Sequence, residues 1–191
     1  MRVSVLSILL MVLLFYNCSG NSYQKMSVEN PEKLLSIQDS LLSIRANDKA
    51  IIDALVVANN NLAKKYMIQE ENVLAIDYFK KARELNNEDI ISKYGLLIAE
   101  GKLLIQKGNK NGILDAIEKF SEASTLYPNN GEPFYWTAIS YTKLGDTDFD
   151  LILESYEKAL SLKLDEEQRD EVEKKYEKAK KRKKKLDSFW K

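Results

Sequence analysis

The chain has 191 residues, 45% hydrophobic and 30% charged, which allows one folded domain or one domain plus a tether and is ordinary for a soluble helical protein. Its 29 basic and 29 acidic residues balance, so bulk charge gives no argument for nucleic acid. There is no histidine and one cysteine, Cys18, which removes the usual general base, the usual pH switch, any internal disulfide and any cysteine zinc site.

The chain opens on Met1-Arg2 and an apolar run, Val3 to Phe15. Thirteen residues suit a signal-peptide core better than a membrane span, which needs about 20. Apart from Ser4 and Ser7 the run is apolar, and it ends in Phe15-Tyr16-Asn17-Cys18, where the only cysteine lies as the run gives way to polar residues. This resembles the lipobox of bacterial lipoproteins, with Phe15 and Asn17 in place of the common Leu and Gly or Ala. The resemblance implies a signal peptide over 1–17 and a covalent lipid on Cys18: a diacylglyceryl group and an N-acyl chain such as palmitate. An ordinary secretion signal and an uncleaved anchor are the alternatives. Ser19 stands where an Asp often holds such proteins at the inner membrane, so the resemblance favours the outer membrane, with the domain facing the periplasm.

Residues 18–30 are polar without apolar periodicity and read as a lipidated cysteine and flexible tether. Asn30-Pro31-Glu32 starts a helix, with Asn as cap and Pro in the first turn. Leu34, Leu35, Ile37, Leu41, Leu42 and Ile44 carry it to about Ala46, as an N-terminal cap packed on the neighbouring helices. Asp48 caps a long helix to about Gln69, and its hairpin partner runs from about Asn72 to Leu85. Further helices are expected from Ile90 to about Lys107 (capped by Asp89 or Asn87), around Gly112 to Tyr127, Glu132 to Leu144 and about Phe149 to Leu162. A last helix begins near Asp165. Its acidic start and its nine Lys or Arg between Lys174 and Lys185 both favour the helix dipole. Val172, Tyr176, Ala179 and Leu186 form its apolar stripe, and Asp170–Lys174, Glu171–Lys175 and Glu177–Lys181 are spaced for ion pairs.

One pattern recurs along this series. Ala75-x-x-x-Phe79-x-x-Ala82, Ala116-x-x-x-Phe120-x-x-Ala123 and Ile152-x-x-x-Tyr156-x-x-Ala159 each place two small or branched residues and one aromatic on a single helical face. The copies are 41 and 36 residues apart, and self-similarity near this period marks stacked helical hairpins. Each is followed by a Leu and a helix-ending turn: Leu85-Asn86-Asn87, Leu126-Tyr127-Pro128 and Leu162-Lys163-Leu164. The preceding helices carry Leu62-Ala63-x-x-Tyr66 in the first copy, Leu97, Gly101 and Leu104 in the second, and Phe134, Ala138, Tyr141 and Lys143-Leu144-Gly145-Asp146 in the third. The turn Lys107 to Gly112 is about three residues longer than the pattern allows, and the third copy carries roughly two extra residues near Thr147 and Asp148.

The pattern resembles the tetratricopeptide repeat. The resemblance implies an all-α solenoid of about three repeats (56–89, 90–130 and 131–166), preceded by a capping helix and the start of the first repeat helix over 31–55 and followed by a basic helix and tail over 167–191. It also implies a concave groove for a peptide or partner helix. Carried over position by position, the groove residues are Asn60 and Lys64, then Ile98, Lys102 and Ile105, then Tyr135, Ile139 and Thr142. The expected function is a non-catalytic, membrane-anchored adaptor for another envelope protein, with no cofactor beyond the lipid and no nucleic acid. Gly108-x-x-x-Gly112 lacks the Lys-Ser/Thr of a phosphate loop and reads as a turn. The alternative function rests on the run Lys180, Lys181, Arg182, Lys183, Lys184 and Lys185, which attracts phospholipid or another polyanion. Phe189-Trp190 beside it suits either docking on the domain or a membrane interface.

Overall fold

The computed structural model describes residues 22–145 and 148–189. Among them the fold is all helical, with no strand, and the helices pack in neighbouring pairs. The signal peptide, Cys18, Asp146, Thr147 and Trp190 lie outside the described residues.

The first departure from expectation is the tether. Residues 22–29 form a helix, α1, rather than an irregular spacer. Tyr23 and Met26 pack on the core, Ser27 is buried, and the Asn61 side chain donates to the Ser27 carbonyl at 3.0 Å. The capping helix also differs, because it is two short helices, α2 (Pro31–Ser36) and α3 (Gln38–Ile44), broken at Ile37. Asn30 caps α2 as expected, accepting from the Lys33 amide. Leu34 is fully buried against α4 (Lys49–Ile68), among Ile51, Ala54, Leu55 and Ala58. Beyond the break Leu41 and Leu42 still pack on this core, while Ile44 is exposed.

Asp48 caps α4, its carboxylate accepting from the amides of Ala50 at 3.0 Å and Ile51 at 3.4 Å. Helix α5 (Asn72–Leu85) folds back against α4. Tyr66 of α4 stacks on Tyr78 of α5 with ring centroids 5.5 Å apart. Asp89 caps α6 (Ile90–Lys107), accepting from the Ser92 amide at 2.7 Å. The long turn expected before the next helix is largely helical. Asn109 accepts from the Gly112 amide at 2.7 Å, so α7 (Lys110–Leu126) starts two residues before Gly112 and only Gly108 and Asn109 are left to turn the chain. Gly108 does so at φ +72°, where a side chain would be strained.

Helix α8 (Glu132–Leu144) comes next, then α9 (Phe149–Leu160) and α10 (Glu166–Phe189). The turns before α8 and before α10 are tied together: the Gly131 amide donates to the Lys163 carbonyl and the Lys163 amide to the Asn129 carbonyl, both at 2.9 Å. This tie ends α9 two residues earlier than its periodicity suggests. Asp165 caps α10 through the Gln168 amide at 2.7 Å.

The chain forms two compact units whose boundary falls inside α6, between Gly95 and Leu96. In each unit a phenylalanine from one helix fills a notch left by glycine on α6. In the first, a Cβ on Gly95 would lie 2.2 Å from the Phe79 ring; in the second, a Cβ on Gly101 would lie 2.4 Å from the Phe120 ring. No side chain larger than hydrogen fits at these contacts. Within the second unit, α10 covers the α8–α9 pair with Val172, Tyr176 and Ala179, as its stripe predicts, while Leu186 is exposed.

Candidate functional site

Proline at the second position of α8 and the Gly131 tie set where that helix begins. The next residues of the helix place Tyr135 and Trp136 side by side, ring centroids 5.0 Å apart. Trp136 is half-buried and lies 6.4 Å from the Phe120 ring, with its indole N–H reaching the Glu132 carboxylate at 3.4 Å. From α6, the Lys102 ammonium sits 4.8 Å from the Trp136 ring centroid. From α10, Lys175 sits 5.5 Å from that of Tyr135. Glu171 pairs with Lys175 at 3.1 Å. The result is a surface of cations laid over aromatic rings.

Electrostatics lock this surface to α10. Burial, then the hydrogen bond to Glu171, pushes the Tyr135 phenol far above its ordinary value. Partial burial works against ionisation of Glu171. The hydrogen bond from Tyr135, the Lys175 ammonium and the charge of Lys102 together outweigh it and hold the carboxyl below its ordinary value.

The residues expected to line a groove divide into two groups. Asn60, Ile98, Ile105 and Tyr135 are buried. Asn60 is a strut, its amide donating to the Asp89 carboxylate at 2.8 Å. Tyr135 belongs to the core beneath α10. Lys64 of the first unit is exposed. In the second unit Lys102, Ile139 and Thr142 are half-buried, and the Thr142 hydroxyl donates back to the Ala138 carbonyl. Trp136, Glu171 and Lys175 are the residues that positional reasoning passes over. Trp136 has a readable signal, an indole four residues after a glutamate on one helix face. The α10 residues have none, because they come to α8 through tertiary packing.

The basic run also divides. Lys180 pairs with Glu177 at 3.0 Å, one residue before the partner spacing predicts, and sits over the Tyr176 ring. Arg182 sits over the Phe149 ring, and Lys183 pairs with Asp150. Lys181, Lys184 and Lys185 are exposed. Arg182 and Lys183 therefore fasten α10 to α9, while Lys180 is held within α10. The Tyr176 phenol, donating to Glu157 at 2.5 Å, is pushed up to about 12 by that bond and by burial.

Among the described residues no cluster of His, Cys, Asp and Glu is placed to hold a metal ion, and no helix is long and apolar enough to cross a membrane. Comparison with protein-family models and with curated proteins returns no match.

Proposed function

We propose that the chain is a non-catalytic tetratricopeptide-repeat lipoprotein of a bacterial envelope, anchored through Cys18 and acting as an adaptor for another protein. One observation carries the repeat reading. Ala75, Phe79 and Ala82, Ala116, Phe120 and Ala123, and Ile152, Tyr156 and Ala159 are all at most 2% exposed. Three copies of one pattern are thus all buried, on α5, α7 and α9. A partner surface is supported by the face of α6 and α8 in the second unit, where Lys102, Trp136 and Ile139 combine cationic, aromatic and aliphatic character. Such a face suits an amphipathic segment with acidic residues. The test is co-purification of the full chain from its native envelope. A Lys102→Glu, Ile139→Arg double variant with unchanged helicity is expected to lose a discrete partner that the parent chain retains. Retention of that partner by the variant would sink the assignment.

A second reading, peripheral binding to a polyanionic surface, is favoured by one observation: Lys181, Lys184 and Lys185 are exposed near Phe189, itself 80% exposed. Replacing those three lysines by Glu separates the two, since it abolishes sedimentation with anionic vesicles under this reading and leaves partner capture intact under the first.

A further inference from the structure

The first described helix stands close in sequence to the proposed lipid anchor. Only Ser19, Gly20 and Asn21 separate Cys18 from α1, which begins at Ser22. However those three residues are arranged, Cys18 lies at most about 14 Å from Ser22. A fully extended spacer from Ser19 to Asn30 would instead reach about 40 Å and hold a domain clear of the headgroups. The headgroup layer is itself roughly 5–7 Å deep on each side of a bilayer. A lipid on Cys18 therefore brings the start of α1 to the membrane surface.

The first unit comes with it, because α1 is fixed to that unit on one side. Tyr23 and Met26 pack on the cluster around Leu34 and Leu55. Ser27 is buried, its hydroxyl donating to the Gln24 carbonyl at 2.7 Å and its carbonyl accepting from Asn61 of α4 at 3.0 Å. The other side of α1 is bare. Lys25, Val28 and Glu29 are exposed, Val28 to 66%, and Lys25 pairs with Glu29 at 3.7 Å. On α4, Val57 and Lys64 fall on the same helical stripe as Asn61, so they continue this bare side. Val57 is 37% exposed and Lys64 is exposed. The two helices thus present a valine each, flanked by lysines whose stems lie along apolar surface while their ammonium groups reach phosphate.

We propose that this face, the bare side of α1 with Val57 and Lys64 of α4, rests on the lipid surface that holds the anchor, with Val28 at the boundary of headgroups and acyl chains. Lipid is chosen over a second copy of the chain because the short link already sets the bilayer beside α1. Two valines alone would not hold a protein on a membrane. They do not have to, since the covalent lipid supplies the affinity and makes the contact intramolecular. The face fixes how the first unit is oriented. The inference rests on the lipoprotein reading and on none of the residues of the α6–α8 face.

The test uses the lipidated full chain, purified from its native envelope and reconstituted in vesicles of phosphatidylethanolamine and phosphatidylglycerol. Lipidation consumes the only native thiol, so Val28→Cys, Val57→Cys and Lys80→Cys each offer one site for an environment-sensitive fluorophore. Lys80, exposed on α5, is the comparison, and Val28 is exposed enough for its variant to keep the fold. Phosphatidylcholine carrying a nitroxide high on its acyl chain is expected to quench the probes at 28 and 57 about threefold more than the probe at 80. Equal quenching at all three positions would overturn the proposal. So would a probe at 28 that is blue-shifted yet unquenched, because protein such as a second copy would then cover the face. Mass spectrometry of the same samples separates the two claims. A chain without lipid on Cys18 ends the lipoprotein reading and this inference together, whereas a lipidated chain with an unquenched probe at 28 ends the inference alone.

Discussion

At the scale of single residues, the repeat depends on what is missing from α6. Gly101→Ala improves intrinsic helix propensity by about 1 kcal/mol. It also drives a methyl to 2.4 Å from the buried Phe120 ring. Overpacking of this kind costs about 1–3 kcal/mol, so the variant is expected to be destabilised despite the better helix former. Phe120→Ala empties the same contact and is expected to cost about 3–5 kcal/mol. In the double variant the two losses add to less than their sum, because alanine at 101 no longer meets a ring. Urea denaturation of the four proteins reads all three terms. Glu171 supplies a pH-dependent test. Its folded pKa lies below 4.5, so its contribution is present above the unfolded value and is lost as pH falls through the folded one. Glu171→Gln is expected to lower the melting temperature at pH 7 and to make no difference once pH is well below 4.5. The effect is under about 1 kcal/mol, since the side chain is half exposed and screened by solvent.

At the scale of elements, most helix limits are readable because their signals are local. Asp48, Asp89 and Pro133 act within one turn of their own positions, and the helices begin where those residues stand. The alternation of Ala and Phe on α5 and α7 is likewise a property of one helix. What cannot be read locally is what lies across from a helix. Residues 22–29 carry too few apolar side chains to announce a helix, and α1 holds through Met26, Tyr23 and the Asn61 bond to α4. Asn60 resembles a surface residue until Asp89, 29 residues later, takes its amide. Tyr135 occupies a groove position in the repeat pattern, yet α10 closes over it. The same covering makes a prediction about α10. Val172 is 1% exposed in the cluster with Tyr135 and Tyr156, so Val172→Ala is expected to cost about 2 kcal/mol. Leu186→Ala, at an exposed position on the same helix, is expected to cost well under half of that. Thermal melts of the two variants distinguish a helix that belongs to the fold from one that is merely appended to it.

At the scale of the whole molecule, the proposed adaptor joins a lipid-bearing start to a helical repeat. The lipid is tested without reference to the fold. Labelled palmitate is expected to enter the parent chain and not Cys18→Ala, and incorporation into the variant would rule out the anchor at that cysteine. The repeat's purpose is tested by what it touches. Ile139 is half-buried on α8 and packed at the edge of the core, so the variant carrying a photocrosslinking residue there is first shown to keep the parental helicity; Lys184 on α10 serves as comparison. Irradiation of the native envelope is the measurement that bears most directly on the adaptor claim. An adaptor traps one discrete protein through the probe at 139 and none through the probe at 184. A probe at 139 that traps nothing, with lipid or many species captured at 184, would contradict it.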